Sequence, residues 1–449
     1  MHIVIIGNGI AGVSTARHVR KISDHKITLV SSESKYFWSR PALMYVYMGH
    51  MKFEHTQPYE NWFWEKNKIN LLQQYVERIN PQSKTLQLAD GGVLEYDKLV
   101  LATGSLPNKF GWPGQDLEGV QGMVSKQELE SMEAYSKDTN HAVIVGGGLI
   151  GIEMAEMFHS RHIPVTLLVR EGSFWNNALP PEESQMVTRE IQRTHGIDLR
   201  LETELKEILP DAKGRARSII TNKGEEIACQ FVGLTAGVHA NKSLAEGAGL
   251  ETNRGFLVNE FLETNVSDIF AVGDCAELRK PATGRRGVEA VWYTGKLMGP
   301  ILAQTLCGNP TEYHQDVWFN SAKFLDIEYQ VYGSVGNKVR EGESHIYWEH
   351  PEGRHSIRLV YETASGNILG FNLMGVRYRQ EVCQAWIRSE THVEEVLQNL
   401  GAANFDPEFF RQYEHEVVDQ YNQQTGKQLT LKRKKGLKHA VAVLSKLKI

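Results

Sequence analysis

The sequence predicts an α/β chain in which one strand–turn–helix–strand unit is written twice, followed by an α+β region and a basic tail. Three observations carry that prediction. Two glycine-rich turns of the form G-x-G-x-x-G each sit directly behind a short apolar run of β-branched residues. Aromatic residues become dense from about Asn309 onward. The final stretch, from Lys432, carries seven positive charges and no carboxylate.

The first unit opens with the strand Ile3–Ile6, turns through Gly7-Asn8-Gly9-Ile10-Ala11-Gly12, continues as a helix to about Lys21 and returns as the strand Lys26–Val30. Much later Ala142–Val145 runs into Gly146-Gly147-Gly148-Leu149-Ile150-Gly151, a helix to about Arg161 and a strand Val165–Val169. The first glycine permits the tight turn, the second lets a diphosphate approach the backbone, and the third lets helix pack on strand. The anion then sits at the positive end of the helix dipole. Residues at the end of each second strand fall where a ribose is read: Glu33 is 21 positions beyond Gly12, and Arg170 and Glu171 are 19 and 20 beyond Gly151. An acidic residue there favours the free ribose hydroxyl of NADH and an arginine the phosphate of NADPH, so the pair leaves that choice open.

Between the turns, Leu99–Leu101 reads as a strand ending in Ala102-Thr103-Gly104; after them, Asp268–Val272 reads as a buried strand ending in Gly273-Asp274. Residues 201–237 look like short antiparallel strands with turns at Asp211–Gly214 and Asn222–Gly224. In the last third a hairpin is expected around Pro351-Glu352-Gly353, with helices from Glu381 and Pro407.

At 449 residues, two or three domains are expected. The four cysteines, Cys229, Cys275, Cys307 and Cys383, are nowhere closer than 32 residues, which leaves no Cys-x-x-Cys pair and no zinc pattern, and no metal is expected. Scattered thiols, no transmembrane run and no signal peptide make the cytoplasm the expected compartment. The net charge of −5 divides into the tail's +7 and −12 for the rest, so no nucleic-acid partner is expected. Within the tail, Leu437, Ala440, Val441, Leu444 and Leu447 recur at helical spacing among lysines. Such a segment fits peripheral attachment to an anionic membrane surface or docking on an acidic protein.

With those motifs in order, the chain resembles the FAD-dependent pyridine nucleotide reductases with two Rossmann-like dinucleotide-binding domains, and most of all their rubredoxin reductase, ferredoxin reductase and NADH oxidase group. The resemblance implies an FAD-binding domain from 1–110 and 255–308, an NAD(P)-binding domain at 111–254, a C-terminal α+β domain at 309–430 and the tail at 431–449. It implies that Gly7, Gly9, Ile10, Ala11 and Gly12 cradle the FAD diphosphate, that Glu33 holds the adenosine ribose and that Arg40 pairs with phosphate. Ala102, Thr103, Gly104, Gly273 and Asp274 complete the FAD site, and a helix from near Glu289 points its N-terminus at the flavin. Gly146, Gly148, Leu149, Ile150, Gly151, Glu153, Arg170 and Glu171 are implied to hold NADH or NADPH.

One departure decides the chemistry. The disulfide reductases of this superfamily keep a Cys-x-x-x-x-Cys pair after the first turn, and residues 36–50 here contain no cysteine. Where the ferredoxin reductase-like members often carry a lysine, this chain has Met44 and Tyr45; Tyr45 and Glu153 are its candidate catalytic side chains. Hydride transfer itself needs position rather than an acid or base. The expected activity is therefore NAD(P)H-dependent reduction of FAD, with electrons leaving for a separate quinone, ferredoxin- or rubredoxin-type iron protein, or oxygen. The alternatives are a redox-controlled signalling flavoprotein similar to apoptosis-inducing factor, or the flavin subunit of a larger electron-transfer complex; a homodimer is compatible with each.

Overall fold

The computed structural model describes residues 1–432, so the amphipathic stripe read between Leu437 and Leu447 lies outside the described residues. Among the described residues no helix is long and apolar enough to cross a membrane. The chain forms two compact units. One holds Met1–Gly146, Met157–Val165 and Leu205–Gln315; the other holds Gly147–Glu156, Thr166–Glu204 and the described residues from Asp316 on.

The first unit is organised on a parallel five-stranded sheet. From edge to edge its strands are Ile269–Ala271, Lys98–Leu101, His2–Ile6, Lys26–Ser31 and Ile69–Gln73. The central strands are apolar runs rather than alternations because both faces are covered: Ile3, Val4, Ile5, Leu99, Val100 and Leu101 are all fully buried. Each such side chain contributes about 1.5–3 kcal/mol of burial. The helices Ile10–Ile22 and Trp292–Leu306 lie against each other through small residues. A Cβ added at Gly299 would sit 2.6 Å from Ser14, whose hydroxyl donates to the Lys296 carbonyl at 2.8 Å. The second helix starts at Trp292 rather than near Glu289. Its N-cap Val291 is extended, and the Glu289 carboxylate is held by Arg285 at 2.7 Å.

Also in this unit, Ala142–Val145 pairs in parallel with Phe231–Leu234, which pairs with Val120–Gln121. Of the short antiparallel strands expected within 201–237, Leu205–Pro210, Ala216–Thr221 and Glu226–Ala228 form an antiparallel set, whereas Phe231–Leu234 joins the parallel sheet instead.

The second unit carries an antiparallel five-stranded sheet in the order Phe319–Phe324, Ile327–Gly333, Ile368–Met374, Ser356–Glu362, Glu343–Glu349. The hairpin expected around Pro351-Glu352-Gly353 joins the last two. Helices Gln380–Arg388, Val393–Gln398 and Glu414–Thr425 complete it. The helix expected from Pro407 begins at Glu414 instead. Phe409 and Phe410 are exposed and offer no face to bury, whereas Tyr413, Val417, Val418 and Tyr421 form a buried stripe. The helix Pro181–Arg193 is tied to the sheet by charge: Arg358, buried, reaches Glu183 at 2.7 Å and Glu182 at 2.6 Å, and Arg354 reaches Glu190 at 2.7 Å.

Candidate functional site

Three stretches far apart in sequence meet at the N-terminus of the Ile10–Ile22 helix. Gly7 has φ +109°, and a Cβ built on it would lie 2.1 Å from the Ala102 carbonyl oxygen. Gly12 is as tightly placed, with its Cβ position 2.1 Å from the Gly7 oxygen. Gly273, φ +76°, would bring a Cβ to 2.8 Å from that of Ala11. Only glycine satisfies these approaches. Gly9 is different: a Cβ there meets nothing within 4 Å. The helix starts on it with no side-chain cap, so the first amides, beginning with Ile10 and Ala11, are presented to an anion.

The crossing strand is stapled beside this turn. The Thr103 hydroxyl donates to the Asn241 carbonyl at 2.5 Å, and the Gly104 carbonyl accepts from the Asn241 amide at 2.9 Å. Next along the chain, Ser105 donates its hydroxyl to Asp274 at 3.0 Å. Burial pushes the Asp274 carboxyl up from its ordinary value, and the Ser105 hydroxyl and the Arg40 charge pull it back. Glu33 and Arg40 are brought together: the guanidinium donates to both carboxylate oxygens, at 3.0 and 2.7 Å, and also to the Val124 carbonyl. The Lys126 amide donates to Glu33 at 2.9 Å. An ionised carboxylate has about four acceptor positions, so Glu33 keeps capacity for a further donor.

The second turn repeats the first in part. Gly146, φ +127°, would set a Cβ 2.7 Å from the Thr235 oxygen, and Gly147 would meet Val169 at 2.6 Å. Gly148 faces the indole of Trp175, whose Nε1 is 3.8 Å from the Cβ position. Leu149 and Ile150 open the helix Leu149–Ser160, and Gly151 is buried in its first turn. On that helix Glu153 is pushed up to about 7 by burial and then by the neighbouring charge of Glu156. Arg170 and Glu171 pair with each other at 3.0 Å. Tyr45 sits on the short helix Leu43–Tyr47 and stacks on His50, ring centroids 6.0 Å apart.

Sequence reasoning missed Ser105 and Trp175, because neither belongs to a spacing pattern. It also gave no sign of His350, Glu352 and His355, whose ligand atoms lie within 4.8 Å of one another. The Arg354 and Arg411 charges act on His355 and oppose a cation there.

These contacts fit a dinucleotide at the first turn: an open glycine under an uncapped helix end, with a half-buried carboxylate beside it. Residues 1–295 match the pyridine nucleotide-disulphide oxidoreductase family. The chain belongs to that family. The chain is 28% identical over 331 residues to the NAD(P)H nitrite reductase of Bacillus subtilis, covering 73% of its own length and 40% of that relative's, so it spans less than half of it. It is 31% identical over 335 residues to the rhodocoxin reductase of Rhodococcus erythropolis, with 72% and 76% covered. Its fold is similar to that of an NAD-dependent persulfide reductase from A. fulgidus, with a TM-score of 0.81 at 22% identity over 95% of this chain and 84% of that one. The family is one of FAD- and NAD(P)H-binding oxidoreductases.

Proposed function

We propose that this reductase passes electrons from NADH or NADPH to a separate small iron protein, with no thiol relay. FAD, when bound, supplies a group that accepts a hydride and releases electrons singly. The amides at the start of Ile10–Ile22 hold its diphosphate, the remaining acceptor capacity of Glu33 takes an adenosine ribose hydroxyl, and Asp274 accepts from the ribityl chain. Arg40 pairs with Glu33 and adds positive charge. The second turn, Gly146–Gly151, holds the nicotinamide nucleotide, with Arg170 and Glu171 at its ribose end.

The state of the thiols carries the choice of a separate acceptor. Cys275, adjacent to Asp274, is fully buried, its thiol faces the Leu101 carbonyl at 3.3 Å, and burial pushes its pKa up. Burial pushes Cys229 up to about 12 and Cys383 well above its ordinary value. Thiols held neutral in this way are poor nucleophiles. An iron protein is favoured over quinone or oxygen by the rhodocoxin reductase relative, which covers most of both chains.

The test is anaerobic reduction of the purified enzyme by NADH or NADPH, followed by mixing with a rubredoxin- or ferredoxin-type protein, a soluble quinone, or oxygen. The iron protein should be reduced at least about tenfold faster than either alternative, a difference of about 1.4 kcal/mol in barrier. Faster reoxidation by quinone or oxygen would overturn the assignment.

A further inference from the structure

Trp175 has an unusual backbone for so large a side chain. Its φ is +52°, in the left-handed region that bulky residues rarely adopt. Conformations of this kind persist where the surroundings over-determine them, and they cluster at binding sites. The surroundings here do so. The Phe174 amide donates to the Thr188 hydroxyl at 2.9 Å, and the Phe174 carbonyl accepts from Ser184 at 2.6 Å. The Asn176 carbonyl accepts from the Asn337 side chain at 2.9 Å. Trp175's own carbonyl accepts from the amides of Ala178 and Leu179, at 3.0 and 2.9 Å.

The ring is fixed as firmly as the backbone. It packs edge-on against Phe324 and Tyr329 of the antiparallel sheet, with centroid separations of 5.7 and 6.2 Å. Held there, it turns its Nε1 edge to the glycine turn, 3.8 Å from the Cβ position of Gly148. No acceptor for this N–H is found among the described residues. An indole N–H can only donate, so the group it suits is an acceptor, and an anion above all.

We propose that the Trp175 indole N–H donates to the diphosphate of the nicotinamide nucleotide, making Trp175 a binding residue for the co-substrate and the sheet residues Phe324 and Tyr329 its support. This rests on the reading that Gly146–Gly151 holds that nucleotide. The ligand class is a dinucleotide or ADP-ribose moiety carrying the diphosphate.

The experiment titrates FAD-loaded enzyme with NAD+ and with ADP-ribose, following tryptophan emission and binding heat. Trp175→Phe keeps the ring and removes the N–H; it should weaken both ligands about tenfold, the scale of one hydrogen bond to a charged group. The emission change on binding should also shrink. Trp175→Ala should weaken them further, with FAD content serving as the check on folding. Unchanged affinity in Trp175→Phe, with wild-type binding intact, overturns the donor role alone. Tighter binding in either variant means that the indole obstructs the site, and also overturns it. A wild type that binds neither ligand overturns the nucleotide reading of this turn along with it.

Discussion

The two glycine turns share a pattern but not an environment. In both, the first glycine is jammed against a carbonyl of a neighbouring segment, Ala102 for Gly7 and Thr235 for Gly146, at Cβ distances of 2.1 and 2.7 Å. The second glycine differs: a Cβ added at Gly9 would meet open space, whereas one at Gly148 would meet the Trp175 indole at van der Waals distance. Two positions after the third glycine the helices differ again. Ser14 is packed into the neighbouring helix at Gly299, and its counterpart Glu153 is a carboxyl with a pKa of about 7. The first glycine therefore serves the fold in both copies, while the second and the helix behind it are specialised. An open cradle suits a cofactor that stays; a site with an aromatic wall and a titrating carboxyl suits a co-substrate that comes and goes.

The largest test of this contrast separates the roles of Gly7 and Gly9. Gly7→Ala puts a methyl into the Ala102 carbonyl at a positive φ, and should cost at least about 3 kcal/mol of stability and abolish FAD binding. Gly9→Ala should cost less than about 1 kcal/mol in apo-protein, the scale of a changed N-cap, yet still lower FAD occupancy. Thermal unfolding of apo-protein and the visible flavin absorbance read the two effects separately; equal destabilisation would break the distinction.

Next in size is the titration of Glu153. Its folded pKa of about 7 lies above the ordinary 4.5, so between those values the folded state binds more protons than the unfolded one. Stability should fall as pH rises from about 4.5 to 7 and level off above, by no more than about 3 kcal/mol. Glu153→Gln should remove this slope and be more stable than wild type at pH 8. Denaturant unfolding at pH 5 and pH 8 measures it, and parallel slopes in both proteins would show that Glu153 ionises freely.

A smaller effect is expected at the strand end, where Arg170 and Glu171 neutralise each other. Arg170→Ala should free Glu171 and move the kcat/KM ratio about tenfold toward NADH; Glu171→Gln should free Arg170 and move it similarly toward NADPH. A ratio unmoved by both changes would take ribose recognition away from this pair.

Both turns, the strands that feed them and the Pro351–Gly353 hairpin were legible in the sequence, because each rests on local spacing and on glycine's conformational freedom. What was not legible depends on contacts made at long range. Ser105 becomes notable only through Asp274, 169 positions away. Trp175 is an ordinary loop residue until its φ and its neighbours Phe324 and Tyr329 are known. The mutual pairing of Arg170 and Glu171 explains why the nucleotide choice could not be read from residue type. The Pro407 segment misled because proline suits a first helical turn, while burial, which decides where a helix forms, begins only at Tyr413.

The contact between Ser14 and Lys296 joins positions 282 residues apart, and this has a consequence for biosynthesis. At about 5–20 residues per second, the ribosome takes roughly 15–60 s between making one side of that contact and the other. Throughout this interval the second helix is incomplete, and for most of it the edge strand Ile269–Ala271 has not been made. The packing around the first glycine turn is therefore completed late in translation, after the intervening segments have emerged, and until then the stripe of Ala11, Ser14 and Thr15 stays uncovered.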